Sequence, residues 1–327
     1  MATNDNASAD FPRLLGDIGG TNARFAWQGS RGAPLTDVDT LPAAGHATLL
    51  HAMQHYLAQH PGRPAPQQCA IGIANPIVGD RVQMTNHSWA FSISEMQREL
   101  GLQRFLVIND FTALALSLPS LTPADLRAVG GGQAVPNAPM GLLGPGTGLG
   151  VSGLLPAVGG RSAIPINGEG GHVTLAPVNE LEEKVVRFLR RQFGHPSAER
   201  ALSGSGLVNL YNALCEVEGV AARPLTPAEL TAQSETDPQC RGAVDLFFSL
   251  LGNVAGNLAL SLGARGGMYI GGGIVPRLGK RIDTSLFRQR FEDKGRFRDY
   301  LAGIPILVVD ARMSPALIGA ARALDDL

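Results

Sequence analysis

A polar pair, Asn109-Asp110, stands between a short apolar run and a helical stretch. Residues 105–108 are apolar and partly β-branched, which predicts a buried strand, and residues 111–118 predict a helix. In open α/β sheets, ligands bind where the carboxyl end of a strand meets the next element. Asp110 therefore has two interpretations. It is either an N-cap that accepts a backbone N–H bond, or a general base that takes a proton from a substrate hydroxyl.

Residues 14–27 contain a glycine turn that could hold an anion. A strand, a Gly-Gly-Thr turn and a second strand predict a β-hairpin. Its tip lets backbone N–H groups approach an anion closely, and Asp17 could hold Mg²⁺ through water. An ordinary glycine hairpin is the alternative. The turn matches neither the dinucleotide fingerprint nor a Walker A loop, because no helix follows and the P-loop lysine is absent.

A second strand–glycine–strand unit occupies residues 141–153, with the sequence Gly-Pro-Gly-Thr-Gly-Leu-Gly at its turn. Two such hairpins in the two halves of the chain suggest duplicated halves that face one phosphate chain. A third glycine stretch, residues 271–273, follows a predicted strand and precedes a predicted helix. This arrangement suits a backbone that lies flat against a nucleotide ring or a phosphate.

Three further side chains could bind a polar ligand. Glu169 and His172 lie three residues apart among glycines, and they are either ligands or a solvated loop pair. Zinc would need further ligands at suitable spacing, and no cysteine cluster supplies them. Glu199 precedes a Gly-Ser turn that opens a helix. The loop at residues 74–89 carries two asparagines, a histidine and a tryptophan, and it is either a plain hairpin or a substrate-facing loop.

The predicted helices and strands place these residues at element ends. Residues 119–140 are rich in proline and glycine and form the best candidate for a domain boundary. Capping boxes at residues 92–95 and 226–229 each predict a helix start. The remaining predicted helices are 47–60, 181–193, 207–216, 244–264 and 314–324, and the remaining predicted strands are 69–73 and 304–309.

Composition limits the possible functions. The 327 residues suggest about two domains. Lys+Arg 27 against Asp+Glu 28 gives a net charge of −1, which offers no electrostatic basis for binding nucleic acid or an anionic membrane. The three cysteines are far apart, as in a reducing cytoplasm. Residues 1–12 predict a loose tail rather than a signal peptide, and the longest apolar run, 246–262, is interrupted by Gly, Asn and Ser. We expect a cytoplasmic protein.

Taken together and in this order, the motifs resemble the hexokinase/actin/Hsp70 ATPase superfamily and, within it, the bacterial ATP-dependent glucokinases. The resemblance runs from about Leu14 to the C-terminal helix and includes residues 84–92 and 291–297. Sugar kinases of the ROK family usually carry a cysteine-rich zinc loop after the corresponding Glu-x-Gly-His element. Residues 171–177 contain no cysteine, so the chain resembles the zinc-free branch.

The resemblance implies an α/β, two-lobed actin-like or hexokinase-like ATPase fold, with a ribonuclease H-like duplicated core and an active-site cleft between the lobes. We expect a flexible tail at residues 1–12, a small domain at 13–120 plus about 311–327, and a large domain at 121–310. The boundary region 119–140 lies near the predicted hinge, so sugar binding is expected to close the lobes. A homodimer is also implied.

The resemblance assigns a role to each candidate residue, with Asp110 as the general base. The implied sugar ligands are Asn109, Glu169, His172 and Glu199. The implied ATP and Mg²⁺ site comprises Asp17 (to Mg²⁺ through water), the first turn (Gly19, Gly20, Thr21 and Asn22), the second turn (Gly146, Thr147 and Gly148) and the adenosine-side glycines (Gly271, Gly272 and Gly273). Pro145 departs from the family pattern, where a small residue is common, and we expect a turn to tolerate it.

The implied reaction transfers the γ-phosphoryl group of ATP to the 6-hydroxyl of glucose. A kinase for another hexose or an N-acetylhexosamine is the nearest alternative, because the motifs specify the chemistry better than the substrate. A non-catalytic sugar-sensing regulator is a third possibility. Such regulators usually add a DNA-binding helix-turn-helix, which the dozen residues before Leu14 cannot form, and Asp17 and Asp110 are both present. The Glu169, His172 and Glu199 set disfavours a purely structural actin-like protein.

Overall fold

The computed structural model describes residues 10–85 and 87–326. Residues 1–9 of the predicted loose tail, and Asn86 of the polar loop 74–89, lie outside the described residues. The chain divides into two compact units. Unit 1 contains the described residues of Met1–Thr122, Ala157–Asn167 and Ala311–Leu327, and unit 2 contains Pro123–Pro156 and Gly168–Asp310.

Strands and helices are interspersed along the chain, with runs of several strands or several helices in succession. The strands are β1 (Arg13–Ile18), β2 (Asn22–Gln28), β3 (Thr36–Pro42), β4 (Gln68–Ile73), β5 (Arg81–Gln83), β6 (Ala90–Ser92), β7 (Arg104–Asn109), β8 (Leu126–Val129), β9 (Met140–Pro145), β10 (Leu149–Leu155), β11 (Ile164–Asn167), β12 (Met268–Ile270) and β13 (Ile306–Val309). The helices are α1 (Leu49–Gln59), α2 (Ile93–Glu99), α3 (Asp110–Ser117), α4 (Glu180–Phe193), α5 (Gly204–Glu218), α6 (Pro227–Gln233), α7 (Pro238–Leu262), α8 (Ile274–Arg277), α9 (Arg281–Thr284), α10 (Phe287–Glu292), α11 (Arg298–Ala302) and α12 (Pro315–Asp326).

Unit 1 is built on a five-stranded sheet in the order β3-β2-β1-β4-β7. The first three strands form an antiparallel meander, and β4 and β7 run parallel to β1. Ile18, Ile73 and Asn109 are in register across the three parallel strands. The carboxyl ends of these strands therefore meet at one edge of the sheet, where ligands of open α/β sheets bind.

Both faces of this sheet are covered. Leu14 belongs to a core cluster that also contains Met53 of α1, whereas the next residue, Leu15, packs in a cluster with Leu317 of α12. Successive strand residues point to opposite faces, so β1 buries apolar side chains on both faces of the sheet. The predicted return of the C-terminal helix to the first domain is confirmed, because α12 packs against α3, β4 and β1.

Five neighbouring strands of unit 2 follow the order β10-β9-β12-β13-β8. The predicted β9–β10 hairpin is confirmed, with β10 antiparallel to β9. The core is dominated by α7, α5 and α4 and by the inner faces of these strands. The strand β8 lies in the predicted boundary region 119–140. It was not predicted, because the region is rich in proline and glycine.

The longest helix, α7, begins at Pro238, six residues before the predicted start, because Asp237 caps it through Cys240 N at 2.9 Å. Contrary to the sequence expectation, α7 is long and apolar enough to cross a membrane. In the fold, 78% of its most apolar window is buried. Burial inside unit 2 identifies α7 as a core helix.

One segment belongs to a different unit from the one predicted. Residues 121–310 were assigned to a single large domain, but Ala157–Asn167 packs with unit 1. The Thr112 hydroxyl in α3 donates to Asn167 Oδ1 at 2.7 Å, and β11 contacts α3. This attachment depends on a contact between residues far apart in sequence, so local patterns could not indicate it.

Candidate active site

The strand-to-helix junction at the end of β7 shows which of its two polar residues caps the following helix. Asn109 is the N-cap of α3, and its Oδ1 accepts from Phe111 N at 2.9 Å and from Thr112 N at 3.2 Å. Asp110 is the first helical residue, and its Oδ1 accepts from Phe111 N at 2.9 Å. The capping function therefore belongs to Asn109. The Asp110 carboxylate stands at the positive end of the helix dipole.

Asn75 supports this junction, and the sequence did not single it out as a site residue. Its carbonyl oxygen accepts from Asn109 Nδ2 at 3.4 Å, and its Oδ1 accepts from the backbone N and hydroxyl of Thr85 at 3.0 and 2.8 Å. Asn75 follows β4 closely, much as Asp110 follows β7. Its position just beyond the carboxyl end of a parallel strand next to β7 is the sequence feature that could have marked Asn75 as a site residue.

The turn between β1 and β2 carries the first predicted phosphate motif. Gly19 N donates to Asn22 O at 2.9 Å and closes the turn. Asp17 Oδ2 accepts from Arg24 Nη1 at 3.1 Å and from the Ser314 hydroxyl at 2.6 Å. The carboxylate is thus held in place from two sides. Ser314 lies 297 residues from Asp17, and no sequence signal could have paired them.

The turn between β9 and β10 is stabilised from outside the hairpin. Gly146 N donates to Gly148 O at 2.8 Å, and Gly204 N donates to Gly146 O at 2.9 Å. Glu199 Oε2 accepts from Leu149 N at 2.9 Å. A Cβ atom on Gly148 would lie 2.5 Å from that same carboxylate oxygen. Glu199, predicted only as a sugar ligand, therefore also contacts the second phosphate turn.

Glu169 precedes a short 3-10 helix, Gly170–His172, which His172 ends and which packs on the same hairpin. His172 N donates to Glu169 O at 3.0 Å, and both side chains are exposed. A Cβ atom on Gly171 would lie 2.1 Å from Leu149 O, so only glycine permits this close approach. The structure therefore places Glu169, His172 and Glu199 around one hairpin of unit 2.

The triple glycine after β12 meets the end of β9. Gly271 N donates to Leu143 O at 2.9 Å. Gly272 has φ +74°, and a Cβ atom on it would lie 2.3 Å from Pro145 O, so any other residue would be both strained and obstructed. Pro145 ends β9, where its missing N–H is tolerated. The second and third glycine motifs are thus neighbours within unit 2.

Both glycine turns have the chemistry that an anion needs. Within residues 10–85 and 87–326, the N–H groups of Gly20, Thr21, Thr147 and Gly148 have no hydrogen-bond partner. Unsatisfied N–H groups at a glycine turn form a concavity that accepts phosphate oxygens. Asp17 supplies a carboxylate next to the first turn. Each turn by itself therefore has N–H groups that fit an anion, and in unit 1 a carboxylate that could accept Mg²⁺ through water stands beside the turn.

Comparison with known proteins assigns this arrangement to a family. The family model described as "Glucokinase" matches residues 14–327. A glucokinase from Aromatoleum aromaticum is 52% identical over 321 residues, which cover 98% of this chain and 96% of the relative. The chain belongs to the glucokinase family. It is therefore an ATP-dependent hexose kinase with the actin-like hexokinase fold.

Solved structures agree with this assignment. The crystal structure of a glucokinase from an Antarctic psychrotroph superimposes with a TM-score of 0.87 and 36% identity, covering 97% of this chain and 99% of that one. A ROK family glucokinase from Streptomyces griseus, in complex with glucose and AMPPNP, gives a TM-score of 0.64 at 17% identity, covering 96% of this chain and 99% of that one. The second likeness shows a shared fold.

Proposed function

We propose that this glucokinase family member transfers the γ-phosphoryl group of ATP to the 6-hydroxyl of glucose, giving glucose 6-phosphate and ADP. The observation that carries the proposal is the family match over residues 14–327, together with 52% identity to a glucokinase over nearly the whole chain. The residues that the chemistry needs occur at the ends of strands and in the glycine turns of the two units.

Asp110 is the proposed general base. A primary hydroxyl is a poor nucleophile until its proton has an acceptor, and an ionised carboxylate at the start of α3 supplies one. The Phe111 N–H bond to Asp110 Oδ1 fixes the direction of the side chain. Asn109, whose Oδ1 caps α3 and whose Nδ2 donates one N–H to Asn75 O, has the second N–H of Nδ2 to offer and is the proposed adjacent sugar contact.

The glycine turns are the proposed phosphate ligands. Phosphoryl transfer depends mainly on alignment and on neutralising charge. Backbone N–H groups of the turns at residues 19–22 and 146–148 would hold phosphate oxygens, and Gly271, Gly272 and Gly273 would lie on the adenosine side. Mg²⁺, held by Asp17 through water, would supply the positive charge that offsets the triphosphate. Arg24 and Ser314 fix the Asp17 carboxylate for this role.

The sugar ligands proposed in unit 2 are Glu169, His172 and Glu199. A hexose presents hydroxyls that donate and accept, and carboxylates and an imidazole match them. A site that hydrogen-bonds a substrate hydroxyl can reject an analogue lacking it by about 10⁴–10⁵ when the bound substrate shields the polar groups from water. Glu199 has a double role here, since its Oε2 already accepts from Leu149 N at the phosphate turn.

The double role of Glu199 can be tested against Glu169. We expect Glu199→Ala to raise KM for both ATP and glucose, each by about tenfold, because it removes a charged hydrogen-bond partner from the turn as well as from the sugar. Glu169→Ala should raise KM for glucose alone. Steady-state kinetics with each substrate varied in turn give both values. An unchanged KM for ATP in Glu199→Ala would show that the Leu149 contact does not organise the turn.

The finer classification and setting are also proposals. We place the chain in the zinc-free, non-ROK branch of the hexokinase/actin/Hsp70 superfamily. The higher TM-score to the Antarctic glucokinase, 0.87 against 0.64 for the ROK protein, supports this.

We further propose a cytoplasmic enzyme that forms a homodimer, as the family resemblance implies. Glucose is its proposed small-molecule partner, and no role is proposed for nucleic acid or membrane. Light scattering at several protein concentrations tests the dimer.

A coupled assay with a panel of hexoses tests the proposed function. Glucose, mannose, fructose, N-acetylglucosamine and N-acetylmannosamine are offered with ATP and Mg²⁺, and ADP release is recorded. We expect the highest kcat/KM with glucose. Preference for an N-acetylhexosamine would reassign the substrate. Sugar binding without turnover, measured by calorimetry, would instead indicate a sugar-sensing protein. Replacing ATP by ADP or polyphosphate identifies the phosphoryl donor.

A further inference from the structure

Helix α10 and the segment 291–297 of unit 2 have no part in the proposed reaction. Their backbone nevertheless lies directly against two glycines of α7. A Cβ atom on Gly252 of α7 would lie 2.2 Å from Phe287 O, and one on Gly256 would lie 2.5 Å from Phe291 O. The same position on Gly256 is 2.9 Å from Lys294 Cε. The two glycines therefore let α10 rest on α7 and let the Lys294 stem lie across Gly256.

The Lys294 ammonium group reaches a buried amide. It donates to Asn253 Oδ1, and Asn253 Nδ2 donates to Ala176 O at 3.2 Å. Asn253 is only 3% exposed. Because an ammonium group can only donate, the amide must turn its oxygen toward Lys294 and its NH₂ toward Ala176. The reversed amide would set two oxygens against each other. Lys294 thus determines which way Asn253 points.

A second cation holds the same part of the chain. Arg290 Nη2 pairs with Glu182 Oε1 at 2.8 Å, and Glu182 is 1% exposed. The other carboxylate oxygen, Oε2, accepts from Val178 N at 2.9 Å. Lys294 and Arg290 therefore each reach residues 173–179, here named the connecting segment, through one buried polar side chain. Both chains of hydrogen bonds end on backbone atoms of the connecting segment.

The connecting segment contacts both elements that carry His172 and Glu199. It follows His172 directly in sequence, and hydrogen bonds link it to the residues just before Glu199. Ala198 N donates to Val173 O at 2.9 Å, and Leu175 N donates to Pro196 O at 2.9 Å. Ala198 is the residue before Glu199. A shift of the connecting segment would therefore move the backbone next to His172 and next to Glu199 together.

We propose that Lys294 is a positioning residue for sugar binding, which acts through Asn253 and Ala176 to fix the connecting segment and hence the spacing of His172 and Glu199. The inference rests on the proposed function, because it takes these two residues as sugar ligands. Lys294 is not itself one of the proposed sugar or ATP ligands. Its loss affects glucose recognition and spares the chemistry.

Lys294→Met tests the proposal, because it keeps the apolar stem over Gly256 and removes only the donor. We expect KM for glucose to rise at least about tenfold with kcat within about twofold of the parent enzyme, and KM for ATP to rise by less, because Glu199 also contacts the turn at residues 146–148. Lys184→Met, the same substitution on the exposed side of α4, is the matched control and should change none of the three. Asn253→Ala should reproduce the rise in KM for glucose. The variant with both substitutions should raise KM for glucose little more than either substitution alone, because both interrupt the same chain of hydrogen bonds.

A Lys294→Met enzyme that melts at a lower temperature but has a normal KM for glucose would overturn the proposal, since a merely structural lysine gives that result. If this variant does not fold, Asn253→Asp decides. Its carboxylate still accepts from Lys294 but opposes Ala176 O, so KM for glucose should rise, and an unchanged value would again overturn the proposal. A parent enzyme inactive with glucose and ATP would refute the proposed function instead.

Discussion

Replacing Asp110 by Asn is expected to lower kcat by about 10²–10⁴ while glucose affinity stays within about tenfold. The loss corresponds to about 3–5 kcal/mol of barrier at 1.36 kcal/mol per decade. The amide oxygen of Asn can still accept from Phe111 N, as Asp110 Oδ1 does at 2.9 Å, so the start of α3 keeps its local hydrogen bond. What disappears is the acceptor for the hydroxyl proton. Steady-state kinetics and calorimetric titration with glucose separate the two effects.

The control for this experiment is Asp299→Asn, which makes the same change at an exposed position of α11. It should leave kcat and glucose affinity as they were. A kcat for Asp110→Asn near that of the parent enzyme would exclude Asp110 as the base. A large loss of glucose affinity with normal kcat would make it a sugar ligand instead. The Asn109 cap makes either outcome interpretable, because α3 does not depend on Asp110 for its N-cap.

The elements that present the candidate residues could be predicted from local patterns. Both glycine hairpins, the strand before Asn109 and the capping box at Thr226 follow from the alternation of apolar runs and turn residues, and the structure has all of them. The choice of cap could not be made in this way. Asn and Asp are both favoured caps. What decides between Asn109 and Asp110 is the backbone, since Asn109 has φ −63° and ψ 147° and stands outside the helix.

The contacts that hold the candidate residues in place could not be predicted. Ser314 reaches Asp17 across 297 residues, and Glu199 reaches Leu149 across 50. Such pairs arise only when distant segments pack, and one sequence carries no signal for them. The strand β3 was missed for another reason. Its residues alternate between exposed and partly exposed positions, Leu41 alone being buried, so it lacks the apolar run that identified β4 and β7.

A second large effect is expected at Gly319, where α12 meets α3. A Cβ atom there would lie 1.6 Å from Ala113 O, which is a backbone atom and cannot rotate away. A second glycine also lies close to α3, since a Cβ atom on Gly72 of β4 would lie 2.9 Å from Ala113 Cβ and 3.4 Å from Asp110 Cα. The helix that begins with Asp110 therefore packs directly against two glycines.

Gly319→Ala must push α12 away from α3, and we expect unit 1 to lose about 3 kcal/mol or more of stability. At about 2–4 °C per kcal/mol, the apparent melting temperature should fall by roughly 6–12 °C. Gly242→Ala in α7 is the matched control, because its Cβ would meet only Leu214 Cδ1 at 3.4 Å. There the better helix propensity of Ala should leave stability unchanged or raise it by up to about 1 kcal/mol. Equal melting temperatures for the two variants would mean that α12 can move aside at little cost, and that Gly319 does not set the position of α3.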